Sequence, residues 1–344
     1  MNLKKRGKQS VIFYEKPRLI ASAAIVGDME GKGPLGAHFD IVLKDDTWGE
    51  ESWEKAERRM FQESVNTAVN KCGILSNTIN CLLGGDLLNQ IISASFAARE
   101  LEIPFLGLYG ACSTMAESLL IGGMLIDGGF LTTCACVASS HFSTAERQYR
   151  FPLELGCSNP PSAQRTVTGA GCSILAATAF KEPQPCYKNI VLSGGTIGRV
   201  IDFGINDASN MGAAMAPAAA NTLKAHFEDF SRSPDDYDLI ITGDLGYLGS
   251  ELFLELCREN GFDMNDKHMD CGKSIFFEKQ KIDCGGSGCG CSASVLNGYL
   301  LKRIEVGDIK RALFMATGAL LSPASSLQGE TIPSIAHAVI LERR

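Results

Sequence analysis

Cys112 has the clearest chemical use of any residue in this chain. It lies in Gly110-Ala111-Cys112-Ser113, where a short apolar segment over 105–108 turns into a helix. A thiol at a helix N-terminus meets unpaired backbone N–H groups and the positive end of the macrodipole, which together stabilise a thiolate or a bound anion. The spacing predicts a nucleophile-elbow turn carrying either an acyl-accepting thiol or an anion contact. A small thiol buried at a tight turn fits the same residues. The chain uses thirteen cysteines, several in apolar runs such as Thr133-Cys134-Ala135-Cys136-Val137. That usage reads as reduced thiols packed as small hydrophobes in a reducing compartment, not as a disulfide framework.

The other reactive side chains fall into three groups. Among the histidines, His141 follows Ser139-Ser140 at the end of a strand-like segment, the edge where ligands collect in parallel sheets, and is a pocket candidate. His268 and His337 read equally as hydrogen-bonded core groups or ligand contacts, and His38 and His226 as solvent-facing. Among the cations, Arg147 and Arg150 follow His141, and Arg199 follows Ser193-Gly194-Gly195-Thr196. An Arg can grip a carboxylate with two parallel hydrogen bonds, so Arg147 and Arg199 are candidate carboxylate contacts, with a solvated loop as the alternative for Glu146-Arg147. The third group is Gly/Cys-rich. His268 and Cys271 have zinc-like spacing, but Cys284, Cys289 and Cys291 do not complete it, and Gly285-Gly286-Ser287-Gly288 lacks the ending of a phosphate cradle. The glycines there point to close backbone approach, and no metal is expected.

The elements that must position these residues occur twice. A helix over 53–71 stops at Gly73, a strand over 79–83 ends in Gly85-Asp86-Leu87-Leu88-Asn89-Gln90, a second helix runs to 101, and a strand over 105–108 leads to Cys112. The next helix closes at Asp127-Gly128-Gly129, before a strand over 132–138. Later the order recurs: a helix over 213–230, a strand over 239–242, Gly243-Asp244-Leu245, a helix opened by Gly290-Cys291-Ser292, and a strand over 311–316. The second copy carries an insertion before its last helix. Alternating strands and helices imply βαβ units with mainly parallel sheet, so the fold class is α/β, two duplicated βα halves over 1–180 and 181–344. Asp86 and Asp244 should occupy equivalent sites.

Composition narrows the partners. A net charge of -7 argues against nucleic acid, which requires a basic surface. No stretch approaches the ~18 apolar residues of a spanning helix, and no apolar segment follows the basic N-terminal residues, so a soluble or peripheral protein is expected.

Several stretches are more specific. Gly110-Ala111-Cys112-Ser113-Thr114, Gly85-Asp86-Leu87-Leu88-Asn89-Gln90, Ala214-Met215-Ala216-Pro217 and Thr317-Gly318-Ala319-Leu320-Leu321-Ser322-Pro323 resemble the stage V sporulation protein AD family, with similarity over about residues 7 to 343. That family is similar in fold to thiolases and ketoacyl synthases, which implies a layered αβαβα pseudo-dimer. The resemblance further implies binding of dipicolinic acid (pyridine-2,6-dicarboxylate), alone or as its calcium chelate, for uptake into the developing spore and release in germination. No cofactor is implied. Partners would be integral membrane proteins of the same sporulation set at the spore inner membrane, and fold analogy adds a homodimer through a sheet edge. Thiolases activate their Cys with a His in a Gly-His-Pro loop; here the loop reads Gly286-Ser287-Gly288-Cys289-Gly290-Cys291, without His or Pro. The expected ligand contacts are therefore Cys112 with Asp86, Asn89, His141 and Arg147 from the first half, and Arg199, Asp244, His268, Ser287, Cys289 and His337 from the second. The competing readings are a ketoacyl-synthase-type acyltransferase using Cys112 and a structural scaffold of a membrane channel complex.

Overall fold

The computed structural model describes residues 3–149 and 160–344. Arg150 lies outside the described residues. The first half contains β1 (Arg18–Val26), α1 (Trp53–Cys72), β2 (Cys81–Gly85), α2 (Ile92–Leu101), β3 (Phe105–Gly107), α3 (Thr114–Asp127), β4 (Thr133–Ser140), α4 (Phe142–Tyr149) and β5 (Gly169–Ala176). The second half contains β6 (Ile190–Thr196), α5 (Met211–Phe230), β7 (Leu239–Thr242), α6 (Gly246–Glu259), β8 (His268–Asp270), α7 (Cys289–Val295), β9 (Arg311–Ala319) and β10 (Ser334–Arg343). A π turn, Leu296–Leu300, extends α7 into the helical segment Leu301–Val306.

Local chemistry sets these boundaries. Ser52 caps α1 by accepting from the Lys55 amide, and Gly73, at φ 68°, ends it in the left-handed conformation that costs glycine least. The buried face of α1, with Ala56, Met60, Phe61, Val65 and Ala68, follows the helical period and packs on the sheet.

Strand pairing settles the duplication. Outward from the middle of the sheet, the first half runs β1-β5-β4-β2-β3 and the second β6-β10-β9-β7-β8. Both series pair antiparallel, antiparallel, parallel, parallel. A single register pair, Val191 with Arg18, joins them. Asp86 and Asp244 thus leave equivalent strands, as the matched turns predict. Sequence periodicity does not show β8, only three residues long, or α4, where a solvated loop stood as the alternative for Glu146-Arg147.

The helices and the two halves of the sheet make five layers. α1 and α2 cover the outer face of the first half, and α5 and α6 that of the second. Between the sheets lie α3 and α7, each packed on strands of the opposite half: α3 on β9 and β10, α7 on β4 and β5. One hydrophobic cluster accordingly joins Leu83, Met115 and Leu119 to Phe314, Val339 and Leu341. No described helix is long and apolar enough to cross a membrane.

Candidate functional site

Cys112 sits in a 3-10 turn, Ala111–Ser113, directly before α3. Ala111 adopts φ 49°, so the chain enters the helix through a strained elbow, and the amides opening the turn have no acceptor within it. The second half supports the elbow from below: Gly318 of β9 lies so close that a Cβ there would be 2.2 Å from the Gly110 carbonyl. The Cys112 side chain is 5% exposed.

Its neighbours come from the second half. Cys112 Sγ lies 4.0 Å from Ser287 Oγ. Ser287 donates to Asp244 Oδ2 at 3.0 Å, the Gly288 amide donates to the same oxygen at 2.9 Å, and Thr317 Oγ1 donates to Asp244 Oδ1 at 2.8 Å. Gly288, at φ 101°, allows this approach, since a Cβ would meet Ser140 Oγ at 2.7 Å. Behind it, Cys289 Sγ donates to the Ser139 carbonyl at 2.8 Å. The titratable side chain that the second half brings beside the thiol is therefore a carboxylate, Asp244, and not a histidine.

Electrostatics follow from burial. Burial holds the Cys112 thiol well above its ordinary range, and the Asp244 charge raises it further, outweighing Ser287 and the Gly288 amide. A thiolate lowered by the helix N-terminus, the sequence expectation, is not what the site produces. Asp244 itself is pushed up to about 6 by burial, against its hydrogen bonds.

A cavity of about 190 Å³ opens beside Cys112. Leu87, Ala145, Met211, Ala319 and Leu321 give it apolar walls, while Thr166, Ser209, Ser287, Tyr149 and Glu146 supply polar atoms. Tyr149 is held by donating to the Leu87 carbonyl at 2.6 Å. The volume lies below the ~300–1,000 Å³ of drug-sized sites, so it suits a compact ligand.

Of the predicted contacts, the fold gathers Cys112, Asp244, Ser287 and Cys289. Asp86 is buried nearby, but it is used in its own turn, accepting from the Leu88 and Ala94 amides at 2.7 Å each. Asn89 faces a separate open cavity with Tyr109 and Leu320. His141 is buried away from the cavity, with Nε2 on the Asp46 carbonyl at 2.7 Å and Nδ1 accepting from Ser143. His268 pairs with Thr242 Oγ1 at 2.9 Å, and His337 Nδ1 accepts from the Gly198 amide at 3.1 Å, so both are core groups. His226 is not solvent-facing: it is fully buried between Thr196 and Tyr237. Half-buried His38 packs edge-on against Tyr299.

Neither predicted Arg contact reaches the cavity. Arg147 turns outward from α4 to pair with Glu54 and lie over the Trp53 ring, while Glu146, one residue earlier, is buried. Arg199 borders a different cleft with Lys8 and Lys224. No Arg or Lys lines the Cys112 cavity among the described residues, which removes the pair of Arg grips from the site. Reasoning on sequence does not single out Asp270, which lies between His268 and Cys271. Asp270 accepts from the Leu245, Gly246 and Lys273 amides at 2.9–3.0 Å, the turn-holding role that Asp86 plays in the first half. That substitution of roles frees Asp244 to face Cys112. Among the described residues no group of three or more His, Cys, Asp or Glu is arranged to hold a metal ion.

Comparison with known proteins places the chain. A family model described as stage V sporulation protein AD matches residues 7–342. The chain belongs to the stage V sporulation protein AD family. It is 44% identical over 342 residues to the stage V sporulation protein AD of Bacillus subtilis (strain 168), covering 99% of this chain and 98% of that protein. Among solved structures, a variant of OleA from Xanthomonas campestris matches with TM-score 0.63 at 14% identity, covering 99% of this chain and 100% of the other. The 3-oxoacyl-[acyl-carrier-protein] synthase III of Aquifex aeolicus VF5 matches with TM-score 0.57 at 13% identity, covering 95% and 99%. These synthases share the fold, so this family member is thiolase-like in architecture; their chemistry is not carried over by identities this low.

Proposed function

We propose that this sporulation protein is a binding protein that holds dipicolinic acid in the Cys112 cavity for uptake into the spore and release in germination, and runs no acyl transfer. One observation carries the reading: the elbow thiol faces a buried carboxylate and no histidine, beside a small slot with apolar walls. Burial, and after it the Asp244 charge, hold the Cys112 thiol protonated, and among the described residues no histidine lines the cavity to pair with it as in thiolases. A flat aromatic ring suits walls of Leu87, Ala319 and Leu321, and the hydroxyls of Thr166 and Ser209 offer donors to carboxylates. The acids Asp244 and Glu146, with no lining Arg or Lys among the described residues, disfavour a dianion, so the neutral calcium chelate is the preferred form. The protein then acts in the developing spore, peripheral to the inner membrane, beside integral membrane proteins of its sporulation set.

Titration calorimetry with dipicolinate, with and without calcium, tests this directly. Binding should be tighter with calcium, should exceed that of benzoate, and should be lost in Ala319→Phe, which fills the slot. Equal binding of benzoate, or an unaffected Ala319→Phe variant, rejects the site. Incubation with acetyl coenzyme A should leave the intact mass unchanged; an adduct that disappears in Cys112→Ser would establish the acyltransferase reading instead.

A further inference from the structure

α4 supplies Ala145, Glu146 and Tyr149 to the wall of the Cys112 cavity, yet little apolar surface holds it there. Its main contacts are with α1 and with the short strand Arg165–Thr166. Of the side chains it buries, Ser143, Thr144 and Glu146 are polar or charged and only Ala145 is apolar. Hydrogen bonds add to the hold: the Phe142 amide donates to Thr168 Oγ1 at 3.0 Å, and the Gln148 amide group and Tyr149 hydroxyl both donate to the Leu87 carbonyl. An element with so few buried apolar contacts opens at a small fraction of the free energy of global unfolding.

Glu57 of α1 lies beneath it, with no exposed surface. Ser139 Oγ donates to Glu57 Oε1 at 3.3 Å, and Thr144 Oγ1, on α4, lies 2.8 Å from Glu57 Oε2. Thr144 has one hydroxyl hydrogen and a second acceptor, the His141 carbonyl at 3.0 Å. A protonated Glu57 satisfies both oxygens, since its O–H donates to Thr144 Oγ1 while Thr144 donates to His141. An ionised Glu57 would be a buried charge without a counter-charge, because among the described residues no Lys, Arg or His pairs with it. Burial, and after it the Asp86 charge, accordingly hold this carboxyl well above its ordinary range. The titratable groups that face it are Asp86, from the turn before α2, and the Cys289 thiol of α7. Other charges on the packed elements are engaged elsewhere: Arg58 with Glu100 of α2, Arg18 of β1 with Glu182, and Arg147 of α4 with Glu54.

We infer that the proton on Glu57 latches this wall: with it α4 closes over the Cys112 cavity, and its release to water as pH rises frees α4 and opens the cavity. Opening hydrates the carboxyl, which then returns to its ordinary value of 4.5 and gives up its proton. As long as the closed form keeps that proton, the open population grows about tenfold per pH unit above this value. His141, directly before α4, is lowered by burial; hydrated, it would take up a proton below pH 6.5 and oppose the trend there, so the effect of Glu57 stands alone at higher pH. Asp86 stays on its Leu88 and Ala94 amides in both forms. The latch acts whatever molecule the cavity holds.

Hydrogen exchange of the full-length protein, read by peptide mass spectrometry and corrected for the intrinsic pH dependence of amide exchange, measures it. Between about pH 6.5 and about pH 8, protection of the α4 amides should fall roughly 10- to 30-fold, while the β5 amides keep theirs. Glu57→Gln has no proton to lose, yet its amide can donate to Thr144 and accept from Ser139, so the variant should show no such trend in α4. Alkylation of Cys112 by iodoacetamide gives a second readout. The ratio of the wild-type rate to the Glu57→Gln rate should rise by the same factor over this range, because ionisation of the thiol itself cancels in the ratio. The comparison of α4 with β5 within the wild type stands even if the variant does not fold. Constant protection of α4 in the wild type overturns the inference. A trend shared by α4 and β5 would mean global unfolding, and a trend that persists in Glu57→Gln would assign the proton to another group; either result overturns it as well.

Discussion

Asp244 and Asp86 hold equivalent turns yet meet different surroundings, and the difference sets the chemistry of Cys112. Asp86 accepts one amide of its own turn, Leu88, and one of α2, Ala94, whereas Asp244 accepts from Ser287, Gly288 and Thr317 and leaves its charge beside the thiol. In Asp244→Asn the thiol should lose a charge that opposes ionisation, although burial still holds its pKa up. Peptide-level mass spectrometry after iodoacetamide treatment should therefore show Cys112 alkylated faster in the variant than in wild type; an equal rate would mean that burial alone protects it. Glu30 offers a separate test through pH. Its carboxyl is buried, accepts from the Thr168 amide at 3.0 Å, and is pushed up to about 7 by that burial. The native state then keeps a proton that the unfolded chain releases near pH 4.5. Its stabilising contribution is complete below that pH and is lost as pH rises through about 7. Glu30→Gln should remove this dependence, so that relative to wild type the variant gains on the order of 2–3 kcal/mol between pH 4.5 and pH 8. Denaturant melts at both pH values measure it. His226 acts in the opposite sense: burial lowers it to about 3, so its contribution is present above pH 6.5 and is lost as pH falls through about 3.

At the scale of elements, the Gly/Cys-rich loop is what brings the second half to Cys112. The pair Gly286–Ser287 lies parallel to Arg165–Thr166, and Gly288 then turns with φ 101° into α7. Two costs would meet at Gly288→Ala: a left-handed backbone disfavoured for alanine, and a methyl 2.7 Å from Ser140 Oγ. The variant should lose roughly 2–4 kcal/mol in thermal or denaturant unfolding and displace Ser287 from the cavity wall. Gly261→Ala is the matched comparison, with φ 82° but open space around the added methyl, and should lose only about 1 kcal/mol. Equal losses would mean that backbone conformation alone, and not the contact with Ser140, fixes the loop. The glycine run thus reads correctly from sequence as close backbone approach. Its partner did not, because Ser140 is distant in sequence and becomes a neighbour only when α7 enters the other half's layer.

For the whole molecule, the position of the central helices has a cooperative consequence. α3 packs on strands of both halves and α7 on strands of the first, so neither half can bury its inner face alone. Both tryptophans, Trp48 and Trp53, lie in the first half, whereas far-UV circular dichroism reports both. Urea transitions followed by fluorescence and by circular dichroism should coincide. A fluorescence transition at distinctly lower urea would show the halves unfolding separately. A fragment ending at residue 180 should fail to give a cooperative transition.

Duplication, the α/β class, the Cys112 elbow and the loss of the Gly-His-Pro loop were all legible in the sequence. Each is written in local signals: periodic burial, turn glycines, and the residue types beside them. The family resemblance rests on such local runs too. What the sequence could not determine was which side chains meet. His141 looked like a pocket residue, and His268 and His337 like either ligand contacts or hydrogen-bonded structural groups; backbone and hydroxyl groups from distant segments claim all three. Arg147 and Arg199 looked like carboxylate grips, yet helix phase points one at Glu54 and sheet order carries the other to a separate cleft. Asp244 was singled out by repetition alone; that it faces Cys112 follows from Asp270 taking over its turn. Spacing along a chain fixes the direction of a side chain within its own element, while the partner it reaches depends on how elements far apart in sequence are layered, and only tertiary packing decides that.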